Sequence, residues 1–368
     1  MRETRLGISI YPERATEEQC DGYLRLAAGL GYRVLFVALL GVRDAREEVV
    51  ARYARLTTLA HELGFEVCCD VNPGVLARFG VNCSVLRGKL DLRFLREIGA
   101  DAMRLDTGLS ELEEAFLTRN AEGVSVCLNA ATTAHDHVGA MLASGGDPAH
   151  VVGCHNYYPH RYTGLSLDYF LRCSRIWNDH GLRLQAFVSS REPGARGPWP
   201  VDDGLPTLEM HRDLPARVQA AHLALLGCVD DVIFGNCFAS EEELAAVARA
   251  VAHPAELTVH VEPGLPESER GRLRMRLSRR PEVCDHMIRT VESRMVPGEV
   301  APFNCVDIKR GDVLVDNVGY GHYSGEVQIA LMPMENSGRT NVVGYVDPAE
   351  LCLLECLTPG QLFSLRLE

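Results

Sequence analysis

RVLFVALL (33–40), REEVVARYARLTTLAHEL (46–63) and EVCCDV (66–71) follow one another with only short connections. The first and third are near-continuous apolar runs of strand length, the pattern of strands buried on both faces in a parallel sheet. The second is a helix candidate, so the three together read as a βαβ unit. The same alternation extends in both directions. GISIY (7–11) lies upstream, with a helix candidate at 17–30. Downstream come AMRLD (102–106), VSVCL (124–128), VVGCH (151–155), LRLQAFV (182–188) and DVIFGN (231–236), with a helix candidate at 167–180. Ser240 before Glu241-Glu242-Glu243 reads as an N-cap followed by acids at the positive end of a helix. About eight βα units in about 250 residues predict an α/β fold, a TIM (β/α)8 barrel over residues 1–252. No G-x-G-x-x-G follows a strand, which argues against a dinucleotide-binding sheet.

Past His253-Pro254 the pattern changes. Runs at 257–263, 311–316, 325–331, 341–346, 350–357 and 361–367 read as strands between Gly, Asn and Pro turns, with one helical stretch near 284–294. They predict a small β-rich domain over residues 257–368.

Composition narrows the function. The 368 residues hold 37 basic and 50 acidic side chains, for a net charge of −13. A surface that acidic repels nucleic acid and anionic membranes. Thirteen cysteines at irregular spacing, with no C-x-x-C, favour neither a disulfide framework nor structural zinc. The N-terminal MRETRLGISIYPE lacks the apolar core of a signal peptide, and no apolar run reaches about 18 residues, so the expectation is a cytoplasmic protein that spans no membrane. Lys89 and Lys309, the two lysines, lie on no barrel strand end, which excludes a Schiff-base aldolase. His135-Asp136-His137 starts a helix, where side chains two apart diverge, so the motif reads as a helix start and not as a metal site. No metal and no cofactor are expected.

In a TIM barrel the polar residues at the C-terminal strand ends face the active site. That rule selects Ser9, Tyr11 and Glu13, then Asp70 and Asn72, Arg104 and Asp106, Asn129, His155, Asn156 and Tyr158, and Asn236. Carboxylates, amides and aromatics on one rim suit a sugar, since amides bond hydroxyls and aromatic faces stack on the ring. Each has a plainer reading as well. Asp70 before Val71-Asn72-Pro73 fits an N-cap or Asx turn. Arg104 and Asp106, two apart on one strand, both point inward and could pair across the mouth. Two rich loops, 154–170 and 189–215, follow the sixth and seventh strands, the second long enough for a lid or substrate wall. Glu209, just after Thr207, fits either catalysis or the first turn of the next helix.

These segments resemble a known family. LGISIYPE (6–13), RLDTG (104–108), GCHNYYPHRYTGLSLDYF (153–170), DGLPTLEMHRDLP (203–215), DDVIFGNCFASEEEL (230–244) and GHYSGEVQIAL (321–331) are similar to the MupG-type 6-phospho-N-acetylmuramidases. The resemblance implies a barrel followed by a cyclophilin-like β domain. It also implies an intracellular glycosidase that cleaves N-acetylmuramic acid 6-phosphate from β-1,4-linked N-acetylglucosamine in peptidoglycan recycling. The partner expected is therefore a phosphorylated amino-sugar disaccharide, with homo-oligomerisation open. Glycoside hydrolysis uses a carboxylic acid and a second group on the opposite face. Asp106 and Asp70 are the first pair, with Glu13 and Glu209 as substitutes, unless the substrate's N-acetyl group is the nucleophile. Ser9, Tyr11, Asn72, Asn129, His155, Asn156, Tyr158, Thr163, Thr207 and Asn236 are candidates to hold the sugar. Arg104 and Arg161 are the candidates for phosphate and lactyl carboxylate, because a guanidinium fork matches an anion. The alternatives are a glycosidase for a different sugar, or a non-catalytic sugar-binding protein.

Overall fold

A computed structural model of the chain describes residues 4–40, 42–105, 108–131, 136–200 and 203–368. Asp106 and His135 therefore lie outside the described residues. The chain divides into two compact units, residues 1–251 and 252–368.

In the first unit eight parallel strands close into a barrel in chain order. They are β1 (Arg5–Ile10), β2 (Val34–Ala38), β3 (Glu66–Val71), β4 (Ala102–Leu105), β5 (Ser125–Asn129), β6 (Val151–Cys154), β7 (Arg183–Val188) and β8 (Asp231–Phe234). Six sit within a predicted apolar run, while β1 starts two residues before its run and β5 ends one residue past its own. Helices Glu17–Gly29, Arg46–Glu62 and Leu167–Asp179 also match expectation to within a residue at each end.

Alternate side chains of each strand point into the barrel, and they stack in three levels. At the N-terminal end Arg5 and Arg183 alternate with Glu66 and Asp231, at 2.7–3.1 Å between partners. Gln185 adds a bond to Asp231. Burial works against the Asp231 carboxylate, but the two arginines hold its pKa below the ordinary value. The middle level is apolar: Val34, Phe36, Cys68, Ala102, Cys127, Val152, Cys154, Phe187 and Ile233. The adjacent Cys68 and Cys69 are core residues, as expected of small apolar side chains. Above this layer, at the C-terminal end, polar groups return.

The second unit is a mixed seven-stranded sheet of order β10-β15-β9-β14-β12-β13-β11. Its strands are β9 (Glu256–Val261), β10 (Leu277–Ser278), β11 (Met287–Arg289), β12 (Asp312–Asp316), β13 (Val327–Ala330), β14 (Thr340–Val346) and β15 (Leu362–Leu367). Two expectations are corrected here. Residues 350–357 are no strand: Pro348–Cys356 is a 3-10 helix, capped where the Asp347 side chain accepts the Ala349 N–H. Its three-residue pitch buries Glu350, Leu353 and Leu354 on one side. The stretch 284–294 holds no α-helix: the short strand β11 is followed by a 3-10 turn at Glu292–Met295. A helix at Glu267–Leu273 lies outside every predicted segment.

Candidate active site

At the C-terminal mouth Asp70 on β3 and Arg104 on β4 stand opposite each other in register. Arg104 Nη1 donates to Asp70 Oδ1 at 2.5 Å, and the two side chains are only 5% and 2% exposed. A second Arg104 nitrogen donates to the Asn156 side chain just past β6. Burial alone would release the guanidinium proton, yet the Asp70 charge raises the Arg104 pKa well above its usual value. The expected partner, Asp106, lies outside the described residues, and the ion pair that is described runs between strands.

Beside this pair sits an aromatic group. Tyr157 packs edge-on against Phe36 and Phe187, with centroids at 6.3 and 5.0 Å. Burial and the Asp70 charge push its hydroxyl pKa up, and the Tyr11 hydroxyl is a hydrogen-bond neighbour. Tyr11, itself buried, donates to Gly235 O at 2.5 Å, while Ser9 donates to Phe234 O at 2.6 Å. Both thus lock β1 to the end of β8.

Tyr11 also lines a rim cavity of about 420 Å³ with Glu13, Arg14, Ala38, Leu40, Pro198 and Trp199. Trp199 is half-exposed, and its ring lies 6.4 Å from that of Tyr157. Glu13 follows β1 on a single 3-10 turn, Pro12–Arg14. Tyr53, fully buried on the Arg46–Glu62 helix, lies with its hydroxyl 2.6 Å from Glu13 Oε1 and 2.8 Å from Ala38 O. A phenol has one hydrogen to donate, and a backbone carbonyl can only accept. The Tyr53 hydroxyl therefore donates to Glu13 or to Ala38, one at a time. Burial raises the Glu13 pKa, against the opposing pull of Tyr53 and of Arg52 at 3.7 Å.

Other predicted residues hold the frame. Glu209 takes Arg212 Nε at 2.7 Å and Nη2 at 2.6 Å, and accepts the Tyr162 and Gly164 N–H groups at 2.7 and 2.8 Å. It stands on a 3-10 turn, Glu209–His211, and the next helix begins only at Ala216. Tyr162 is held at φ 70°, a left-handed conformation rare for a side chain of its size. A Cβ on Gly164 would meet Glu209 at 2.7 Å, so only glycine allows that approach. Arg212 also donates to Tyr158 O and His160 O. Thr207 is buried and joins Phe187 N to Asn156 O, and Thr163 donates to His160 O. Much of the polar content of the two long loops is therefore spent on holding one loop to the other.

The Arg212 ion pair first, and then the two N–H donors, lower the Glu209 pKa to about 2. Glu209 is thus ionised at neutral pH and cannot serve as a general acid. A carboxyl depressed on folding contributes stability above its unfolded pKa near 4.3 and loses it as pH falls toward 2. We expect the melting temperature to drop through this window in the wild type, and Glu209→Gln to show a shallower drop when melts are compared from pH 5 to pH 2.

Asn72 caps the Pro73–Arg78 helix, its side chain accepting the Val75 N–H. Asn129 accepts the Ala131 N–H at 2.9 Å. Asn236 spends its amide on Ser190 N and O at 2.8 and 2.9 Å. The neighbouring Glu243 takes the Ser190 hydroxyl and the Arg191 N–H, which sets a carboxylate where a barrel phosphate site usually lies. His155 points away from the mouth: it is fully buried, bonded to Ser174 Oγ at 2.9 Å, and burial lowers its pKa to about 3. Residues 154 and 156 face inward, so 155 faces the helix layer. Strand parity could have shown this. Tyr158 is half-buried, with its pKa raised by burial to about 12. Arg161 is already paired with Asp213 at 2.7 Å and with Asp203 at 3.9 Å. Asp136 caps its helix by accepting the Gly139 N–H, and His137 bonds Glu111 and Glu114.

Tyr53, Tyr157, Trp199 and Arg14 were not selected from sequence. Trp199 carried a signal, being one of two tryptophans and lying in a long loop after a strand end.

The sequence matches the 6-phospho-N-acetylmuramidase N-terminal family over residues 6–249 and the C-terminal family of the same description over residues 255–366. A solved protein from B. cereus, described as uncharacterized, is 36% identical with a TM-score of 0.87, and the match covers 99% of each chain. A conserved Enterococcus faecalis protein of unknown function is 23% identical, TM-score 0.75, over 99% of this chain and 97% of that one; it supports the fold alone. No curated protein matches the chain.

Proposed function

Since this chain belongs to the 6-phospho-N-acetylmuramidase family, and so to the glycoside hydrolases, we propose that it cleaves N-acetylmuramic acid 6-phosphate from β-1,4-linked N-acetylglucosamine. The finer parts of this reading are the disaccharide, a place in peptidoglycan recycling, a cytoplasmic location and a cyclophilin-like character for the second unit. They draw on the family and on features compatible with them. Among the described residues no helix is long and apolar enough to cross a membrane. The second unit is a mixed β sheet.

The observation that carries the catalytic reading is Glu13. It is a carboxyl whose pKa partial burial raises, bonded to Tyr53, and lining a rim cavity walled by Trp199. In our reading Glu13 protonates the leaving oxygen as the glycosidic bond breaks. Asp70 and Asp106 serve the opposite face, either activating water or orienting the substrate's own N-acetyl group as nucleophile. Arg104 and Asn156 hold Asp70 in place, and Trp199 and Tyr157 offer ring faces to the sugar.

The purified chain given the phosphorylated disaccharide should release both monosaccharides, and Asp70→Asn and Asp106→Asn should each slow this release by at least tenfold, as expected for groups that act in the transition state. Full rates in both variants would remove the two aspartates. Tight binding without turnover would favour a sugar-binding protein.

A further inference from the structure

We infer that Arg14 receives the phosphate monoester of the substrate and sets the enzyme's preference for a phosphorylated sugar. The inference rests on the glycosidase reading above.

It begins with a difficulty. The proposed substrate is anionic and the chain carries a net charge of −13, so some local cation must act against the global field. The two arginines expected to do this are engaged. Arg104 is buried against Asp70, and Arg161 is shared by Asp213 and Asp203. A phosphate at either would have to displace a carboxylate.

A second cavity of about 520 Å³, on the far side of Glu13, is lined by Arg43, Arg52 and Arg55. Acids answer two of the three. Arg52 meets Asp44 at 2.8 Å, and Arg55 meets Asp21 at 2.9 Å and Glu17 at 3.2 Å. With Glu13, Glu17 and Asp44 in the same lining, that cavity has little net positive charge to offer.

Arg14 differs. It is the one cation among the described residues that line the rim cavity, beside Glu13 and Trp199. Its backbone is fixed at both ends: the N–H donates to Tyr11 O at 2.9 Å, and the carbonyl accepts Arg196 Nη1 at 2.8 Å. Arg196 in turn lies 5.7 Å over the Phe238 ring, which brings a second guanidinium to the same edge. Among the described residues no carboxylate pairs with the Arg14 guanidinium, and the residue is exposed at the cavity rim. Glu13, the one carboxyl in the cavity lining, is held by Tyr53 and Arg52 and not by Arg14. A planar fork of N–H donors matches two phosphate oxygens, where a lysine would supply only a point charge.

The test compares wild type, Arg14→Gln and Arg14→Lys on the phosphorylated disaccharide, on its unphosphorylated counterpart, and on a phosphorylated disaccharide lacking the lactyl carboxylate. Inorganic phosphate is titrated separately as a ligand by calorimetry. For Arg14→Gln we expect the preference for phosphorylated over unphosphorylated substrate to fall roughly ten- to a hundredfold, mainly in KM. Arg14→Lys should fall between the two. Phosphate affinity should weaken in step. An unchanged preference ratio, or unchanged phosphate binding by a folded Arg14→Gln protein, would overturn the assignment. So would a preference that follows the lactyl carboxylate instead of the phosphate. If the wild type cleaves none of these sugars, the glycosidase reading fails by itself, and the phosphate titration still decides the role of Arg14 as an anion site.

Discussion

Glu13→Gln is expected to lower kcat by about 10²- to 10⁴-fold, the usual contribution of a general acid. Glutamine keeps the shape and the contact to Tyr53 but has no proton to give. The pH dependence separates this from a packing defect. A general acid works in its protonated form, so activity falls as pH rises through the acid's pKa. Burial raises that pKa in Glu13, which moves the alkaline limb to higher pH than an exposed glutamate would show. The kcat–pH profile of the wild type should therefore carry this limb, and the residual activity of Glu13→Gln should lack it. A variant that keeps the limb, or that retains more than a tenth of wild-type kcat, would assign the proton donor elsewhere, with Asp106 next in line.

Arg104→Met should produce the largest loss of stability. The Asp70–Arg104 pair is almost fully buried, and removing the cation leaves a carboxylate with no countercharge in a low-dielectric site. Breaking such a pair typically costs about 3–5 kcal/mol, which in a chain of this size corresponds to roughly 10 °C in Tm. Asn156 would lose a donor at the same time. Arg104→Met combined with Asp70→Asn removes the stranded charge, so the double variant should recover part of the stability while remaining inactive. Equal melting temperatures for the single and double variants would mean that the charge is compensated in some other way.

What could be read from the sequence follows from which interactions are local. The eight barrel strands were legible because each is a short apolar run with the same chemistry on both faces, repeated at regular spacing. The C-terminal stretch 350–357 misled for the same reason. A short apolar run does not reveal its period, and a 3-10 helix with a cap at Asp347 buries the same leucines as a strand would. At the mouth, the strand-end rule gathered Glu13, Asp70 and Arg104, which lie at one end of the barrel. It also gathered His155 and Asn236, equally polar and equally near strand ends, but bonded to a helix serine and to loop backbone. Thr207 and Glu209, drawn from the long loop after β7, bond to backbone and to a neighbouring loop.

Sequence by itself determined the alternation of strand and helix, the end of the barrel at which chemistry collects, and the family, because each depends on patterns repeated along the chain. The tertiary structure alone decided which polar groups are committed to one another. Asp70 faces Arg104 because β3 and β4 share a register, Glu13 meets Tyr53 across forty residues of chain, and Glu209 is claimed by Arg212 and two loop amides. Such pairings depend on distance and desolvation between segments remote in sequence. They separate a carboxyl whose pKa is raised from one whose pKa is lowered.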